Sequence, residues 1–316
     1  MAVARADGVA LGRARGVVGN AGPHRGRRWL ALGCLFGCVA VAVANAAESS
    51  HELPGGEALR VCADPHNMPL SNDRGEGYEN RLAEALAADL GRKVEYTFFP
   101  QRIGFVRNTL RSRDPTTRMY KCDLIMGVPK GYELTATTQP YMRSTYTMVF
   151  RREGVLAGIQ RPEDLLALPA EQRGKLRIGV FTQSPANDWL LRNGLIQQAV
   201  SYSHQTGDPE LSPGDTIERA LADGDVDVAI VWGPIAGFLA GRHPKEWASV
   251  PFRPDPSIKF DYEISMGVRR GEEAWQERLD EWIAANRERI KTIMAEYRVP
   301  LLDEQGNIIE QQSSGN

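Results

Sequence analysis

The chain has 316 residues, of which 42% are hydrophobic and 25% are charged, proportions typical of soluble globular domains. This composition excludes a disordered, a fibrous or a multi-span membrane protein. The formal net charge of -2 leaves no basic surplus to attract phosphate backbones, so the sequence disfavours nucleic-acid binding.

The N-terminal region, residues 1–46, has the order of a secretory signal peptide. Six Arg residues come first, the apolar run Trp29–Val43 follows, and Ala44-Asn45-Ala46 ends the segment. The run is shorter than the roughly 20 residues that a helix needs to cross a bilayer, so we expect cleavage after Ala46 and no membrane span in the mature protein. A permanent anchor and lipidation at Cys38 are the alternatives. The mature chain would keep 32 basic and 39 acidic residues, begin with a flexible stretch 47–57 and lie in the periplasm.

Cleavage would remove Cys34 and Cys38 and leave two cysteines, Cys62 and Cys122, in a chain bound for an oxidising compartment. Both lie in apolar runs that predict neighbouring buried strands. We therefore expect a disulfide between them, with two buried free thiols as the alternative. Because no third cysteine and no nearby histidine accompany them, the sequence supports no zinc site, and we expect neither a metal nor a cofactor.

Short apolar runs alternate with segments of helical period from Leu59 onward, which predicts an α/β fold built from βα units. Helices are predicted at Tyr78–Leu90, at Asp215–Ala222 with a capping box to Glu218, and along an amphipathic stripe from Trp275 to Met294. The predicted strands are 59–63, 94–99, 122–128, 145–151, 176–181, 226–232 and 264–269.

Two segments, 121–129 and 225–234, share one pattern: charged residues, then an apolar strand, then Gly followed within two residues by Pro. One such unit in each half of the chain predicts two similarly built lobes rather than a single one. The predicted boundaries are 58–150 with 260–305 for the first lobe, 151–259 for the second lobe and 306–316 for a disordered tail.

The ordered set of elements resembles a type II periplasmic solute-binding protein, whose two lobes are joined by two hinge strands and hold a ligand between them. Amino-acid-binding members carry an Arg soon after the first-lobe Asp-x-Ile-x-Gly strand and a carboxylate at the end of the second-lobe strand. In this chain the segment after the first-lobe strand contains Lys130 but no Arg, and the residue at the end of the second-lobe strand is Trp232. An amino acid would leave both of its charges poorly paired, so this ligand class is disfavoured. The matching segments are Ala63-Asp64-Pro65-His66-Asn67-Met68-Pro69, Gly77-Tyr78-Glu79, Asp123-Leu124-Ile125-Met126-Gly127, Gln139-Pro140-Tyr141, Val226-Asp227 and Ile264–Arg270.

Four stretches, 62–72, 75–80, 100–110 and 231–234, resemble more narrowly the solute-binding-like proteins that accompany quinoprotein dehydrogenases, the MxaJ and XoxJ type. The resemblance implies an accessory role in maturing or activating a PQQ-dependent methanol or alcohol dehydrogenase, with that enzyme and its cytochrome c as partners. The alternative is an ABC-transport receptor for a small solute that is not an amino acid. Glycine-rich phosphate loops, nucleophile elbows and H-E-x-x-H motifs are absent from the sequence, so we expect no enzymatic activity.

Candidate cleft residues follow the strand ends, where open α/β sheets bind ligands. His66 is a titratable group after the first strand, and Gln101, Arg102 and Arg107 suit an anionic ligand or an acidic partner surface. Trp232 offers a flat apolar wall. The alternatives are purely local roles: a loop hydrogen bond, a solvated helix face and core packing. The full predicted set is His66, Asn67, Met68, Tyr78, Glu79, Gln101, Arg102, Arg107, Lys130, Tyr141, Ser184, Trp232, Gly233 and Pro234.

Overall fold

The computed structural model describes residues 54–205 and 207–309. The predicted signal peptide and residues 310–316 of the predicted tail lie outside the described residues. Residues 306–309 of that tail return to the body of the protein, where the Ile309 amide donates to the Leu301 carbonyl at 2.9 Å. Within the described part, no helix is long and apolar enough to cross a membrane.

The α/β prediction is confirmed. The described strands are β1 (Ala58–Ala63), β2 (His66–Asn67), β3 (Ser71–Asn72), β4 (Lys93–Phe98), β5 (Leu124–Pro129), β6 (Ala136–Thr137), β7 (Met142–Arg151), β8 (Ile178–Phe181), β9 (Ala199–Tyr202), β10 (Val228–Trp232), β11 (Trp247–Pro251) and β12 (Asp261–Val268). The described α-helices are α1 (Tyr78–Asp89), α2 (Phe105–Asn108), α3 (Ala170–Arg173), α4 (Pro185–Arg192), α5 (Pro213–Ala222), α6 (Gly233–Arg242), α7 (Glu273–Ala285) and α8 (Arg287–Glu296).

The main sheet has the strand order β4-β1-β5-β12-β7-β10-β8-β9. In one half, β4, β1 and β5 run parallel, and in the other β10, β8 and β9 do. Between the halves lie β12 and β7, which pair antiparallel with each other and with their outer neighbours. Each half is therefore a three-stranded parallel unit bordered by one antiparallel strand, and the expectation of two similar halves joined by two hinge strands is confirmed.

One strand, β7, belongs to both halves of the sheet. Its first residues, Met142–Thr145, pair with β12, and its remaining residues pair with β10 and β11. The chain thus crosses between the halves inside a regular strand that pairs with β12, β10 and β11 along its length. The residue bounds of the two lobes stay a prediction.

Helix α1 covers the first half of the sheet, as the helical spacing of its apolar residues predicts. Leu82 and Leu86 lie one turn apart on the buried face, and both are fully buried against the sheet and against α7 and α8. The helix ends before Gly91, whose φ of +65° favours glycine. The start of this helix is consequently held at the end of the sheet where β1 and β5 finish.

One helix prediction was wrong in detail. Helix α5 begins at Pro213 rather than Asp215, because Ser212 is the cap: its hydroxyl accepts the Asp215 amide at 3.1 Å. Glu218 takes no part in this cap and instead accepts from Arg242 at 2.7 Å. The C-terminal amphipathic stripe forms two helices, α7 and α8, that meet at Asn286, and its apolar residues from Trp275 to Met294 are buried in the core of the first half, as predicted.

The predicted disulfide is confirmed, since Cys62 and Cys122 are bonded with their Cα atoms 5.4 Å apart. Both cysteines belong to a small core that also contains Phe105, Val106 and Leu110. The bond therefore ties β1 to the segment before β5 beneath the loops that follow β4.

Removing this bond with Cys62→Ala and Cys122→Ala together should lower the free energy of unfolding by about 2 to 4 kcal/mol, because the bond closes a long loop of the unfolded chain. The two residues are 60 apart in sequence. Urea unfolding with and without reductant measures the loss. Reductant should destabilise the wild type and leave the double variant unchanged; equal midpoints for both proteins in oxidising buffer would contradict the prediction.

Candidate functional site

The loops after β1 and β4 are tied together by Asp64, which is 8% exposed. Its carboxylate accepts the His66 amide at 2.9 Å and also accepts the Gln101 amide. The side chains join as well, since the Asn67 amide group donates to the Gln101 side-chain oxygen at 3.1 Å. Three predicted site residues, His66, Asn67 and Gln101, are thereby brought together at the carboxyl edge of the parallel strands.

Residues of the second half meet this edge. The imidazole Nε2 of His66 lies 3.0 Å from the carboxylate of Glu210, and the Met68 carbonyl approaches Gly214, where a Cβ atom would be 3.0 Å away. The gap lined by these loops has a volume of only about 60 Å³. Sites for drug-sized ligands have volumes of roughly 300 to 1,000 Å³. This part of the gap between the two halves accordingly has room for water rather than for a solute.

A buried acid lies behind the first-half loops. Glu79 is 6% exposed, and its Oε1 occupies the space beside Gly127, where a Cβ atom would be 2.2 Å away. Burial, and then the negative charge of Asp64, raises the pKa of Glu79 to about 8. At neutral pH this carboxyl group consequently keeps its proton for most of the time, and it has no side-chain hydrogen bond within the described part of the chain.

Two predicted tyrosines accompany Glu79. The hydroxyl of Tyr141 is buried without a hydrogen-bond partner among the described residues, and burial raises its pKa well above its usual range. Burial raises the pKa of Tyr78 in the same way, and its ring packs edge-on against Tyr297. Tyr78, Glu79 and Tyr141 are thus three buried polar side chains that stay neutral at pH 7 under the edge of the sheet.

A larger depression, here called the apolar groove, lies between residues 101–107 and 125–134 and has a volume of about 630 Å³. Gln205 of the second half also lines it. Arg102 and Arg107 line it, and no acidic side chain does. Three apolar side chains that the sequence interpretation missed also line it: Ile103 is 84% exposed, Leu134 43% and Tyr132 36%. An isolated apolar residue in a polar loop does not reveal in sequence that it stays exposed.

Lys130, Ser184, Gly233 and Pro234, the other predicted site residues, make local contacts: an ion pair, a hydrogen bond and close packing. The Lys130 ammonium lies 3.1 Å from the Glu263 carboxylate. Ser184 precedes α4, and its hydroxyl accepts from the side-chain amide of Asn187 at 3.2 Å. Gly233 and Pro234 open α6 in the interior, where a Cβ on the glycine would lie 2.3 Å from a β7 carbonyl. Lys130 is therefore already paired with an acid, and the glycine admits the close approach of α6 to β7.

Trp232 lies where the halves join. Its indole packs edge-on against Tyr146 and Tyr262, which come from β7 and β12 respectively. It touches the cores of both halves. Burial raises the pKa of the Tyr146 phenol to about 12, so this aromatic cluster is uncharged. In the described residues, no group of three or more His, Cys, Asp and Glu side chains could hold a metal ion.

Two parallel-stranded halves, joined by two antiparallel strands and meeting at their loops, define a type II periplasmic binding protein fold. No protein-family model matches the chain. The periplasmic binding protein XoxJ from Methylobacterium extorquens AM1 is 32% identical, with 78% of this chain and 100% of XoxJ covered and a TM-score of 0.61. MxaJ from Methlophaga aminisulfidivorans MPT has the same fold, at 23% identity, 77% and 100% coverage and a TM-score of 0.61. Protein MoxJ of Paracoccus denitrificans is 27% identical over 283 residues, 85% of this chain and 96% of MoxJ.

The chain therefore belongs to the XoxJ family of periplasmic binding proteins, and the resemblance noted in its sequence is confirmed. Its location is the periplasm, as the predicted signal peptide indicates.

Proposed function

We propose that the protein is a non-enzymatic accessory factor for a PQQ-dependent methanol or alcohol dehydrogenase, which it matures or activates by binding through its cleft edge. The observation that carries this proposal is the likeness to XoxJ along the whole length of XoxJ, at 32% identity. The enzyme's cytochrome c is a second partner of the same system.

The geometry at the cleft supports a protein partner over an amino acid. Lys130 is already paired with Glu263, and Trp232 gives an apolar surface where a carboxylate would be needed for an ammonium group. Burying an amino acid there would leave charges unpaired, at a cost of roughly several kcal/mol. The apolar groove is instead open, with a volume of about 630 Å³. We assign partner binding to this groove and to the neighbouring edge formed by His66, Asn67 and Gln101.

Affinity co-purification tests the proposal. The tagged mature protein would be recovered from the periplasm of its host grown on methanol, with an unrelated tagged periplasmic protein as the control. Enrichment of a quinoprotein dehydrogenase or its cytochrome over the control is the expected result. Recovery of an ABC permease alone, or of nothing, would favour the alternative of a transport receptor for a small solute.

Replacing Trp232 with Ala should weaken binding of the dehydrogenase by about tenfold or more, because large aromatic side chains dominate interface energies. Binding of the purified enzyme, by biolayer interferometry, measures the effect. Trp232→Phe is the control, since it retains a ring between Tyr146 and Tyr262. Unfolding of both variants should stay cooperative in urea, and unchanged affinity of Trp232→Ala would remove this residue from the site.

A further inference from the structure

The apolar groove exposes side chains that water solvates poorly. Ile103 is 84% exposed, although burial of an apolar side chain of this size is favourable. Leu134 and Tyr132 lie exposed in the same groove, so the three form a patch rather than isolated surface residues. Exposed apolar patches of this kind mark interaction surfaces in soluble proteins.

The base of the groove is firmly built. Phe105 and Val106 are 7% and 4% exposed and pack in the small core that contains the disulfide. The Phe105 amide closes the loop by donating to the Arg102 carbonyl at 2.9 Å, and Gly104 makes the turn with a φ of +93°. Ile103 is therefore presented from a fixed loop, which lowers the entropy lost when a partner binds.

The charges of the groove are of one sign. Arg102 and Arg107 have no ion pair within the described part of the chain, and the residues lining the groove include no Asp or Glu. A guanidinium group binds carboxylates with two parallel hydrogen bonds, so two unpaired Arg favour an occupant that carries carboxylates.

We infer that the apolar groove is the docking site for a polypeptide segment of a partner protein, which packs an apolar side chain against Ile103 and presents carboxylates to Arg102 and Arg107. A solute site encloses most of its ligand, whereas this groove is open and its most exposed residue is apolar. Apolar anchors beside Arg side chains are typical of protein interfaces. The inference rests on the proposed function only for the identity of the partner.

Site-specific photo-crosslinking in the host periplasm tests the groove directly. The photoreactive residue p-benzoylphenylalanine would replace Ile103 in the full chain, and in a second strain it would replace Leu191, an apolar residue of α4 that is 65% exposed and outside the groove. Cross-linked peptides would be mapped by mass spectrometry. We expect position 103, and not position 191, to cross-link to a segment that has apolar residues flanked by Asp or Glu.

Charge reversal tests the role of the arginines. In the strain with the photoreactive residue at position 103, Arg107→Glu should reduce the yield of that cross-link by about tenfold or more, since a favourable charge contact becomes repulsive. Arg219→Glu, at an exposed arginine of α5, is the matched control and should leave the yield unchanged. Melting temperatures of the variants show that each is folded.

The outcomes separate this inference from the proposed function. A cross-link to an acidic and apolar segment of a quinoprotein dehydrogenase supports both. A cross-link to such a segment of another protein supports the groove and counts against the dehydrogenase. No protein cross-link specific to position 103, a cross-link to a segment without acidic residues, or a yield unaffected by Arg107→Glu overturns the inference, even where co-purification recovers the dehydrogenase.

Discussion

Replacing Asp123 with Asn should lower the free energy of unfolding by about 3 to 5 kcal/mol, because the change removes a buried carboxylate that two Arg share. It takes the carboxylate partner from the partly buried Arg60 and leaves the buried Arg269 with the more exposed Glu272, at 2.7 Å, as its acid. The Asp123 side chain is 3% exposed, and its carboxylate accepts from Arg269 at 2.7 Å and from Arg60 at 2.8 Å. Arg269 also donates to the carbonyls of Leu110 and Cys122, so its charged group is held in place when its main partner is lost.

The second half of the sheet contains a matched control. Asp227 directly precedes β10 as Asp123 precedes β5, and it accepts from Arg177 at 2.7 Å. There the Arg and Asp side chains are 49% and 24% exposed, against 18% and 3% for Arg60 and Asp123. Because water solvates the freed charge, Asp227→Asn should cost only about 1 kcal/mol or less.

Urea unfolding of the wild type and both variants at pH 7, followed by tryptophan fluorescence, gives the two losses. A loss at least twice as large for Asp123→Asn is the expected result. Equal losses would show that the depth of burial does not govern these two pairs, and the explanation given for the first would be wrong.

This internal repeat also shows why so much of the fold could be predicted. The segments 121–129 and 225–234 share a pattern of charge, strand and turn, and the structure gives β5 and β10 equivalent neighbours: a parallel strand on one side and an antiparallel hinge strand on the other. Apolar runs of this length become central strands because both of their faces are covered. Local pattern therefore suffices for the central strands of each half.

Of the strands outside the centre of the sheet, the edge strand β4 was predicted, but β9 and β11 could not be predicted from the same pattern. Strand β9 was missed because its residues are only half-buried and alternate weakly, and it pairs with β8 alone. Strand β11 was missed because it ends in Pro251, a residue that weakens a strand prediction, and it pairs with β7 alone. A strand at an edge needs less apolar sequence, so tertiary pairing decides its existence.

Some features of the candidate site could likewise be predicted from the sequence, and others could not. The position of His66 and Gln101 follows from the rule that loops at the carboxyl ends of parallel strands meet at one edge. The exposure of Ile103 and the burial of Glu79 run against what their residue types favour, since isoleucine is usually inside and glutamate is almost never fully buried. Glu79 is buried because segments distant in sequence pack over it, and Ile103 stays exposed because none does.

Replacing Glu79 with Gln should stabilise the protein at alkaline pH and have no such effect in acid. The pKa of Glu79 is about 8 in the folded protein, and its ordinary value is 4.5. Below pH 4.5 the carboxyl group is protonated in both states. Between pH 4.5 and 8 the unfolded chain releases the proton while the folded protein retains it, so the stability of the wild type falls as the pH rises. Gln cannot ionise and does not suffer this loss.

The difference between the two proteins should therefore grow from near zero at pH 4 to as much as about 5 kcal/mol at pH 9, since one pKa unit corresponds to about 1.4 kcal/mol. Urea midpoints measured across this range, with the exposed Glu84→Gln of the same helix as control, give the curve. Parallel curves for wild type and Glu79→Gln would contradict the raised pKa.

A buried acid that lowers stability is retained where function needs it. A Glu79→Gln variant that is more stable than the wild type but binds the dehydrogenase less well would therefore place this carboxyl group in the binding site.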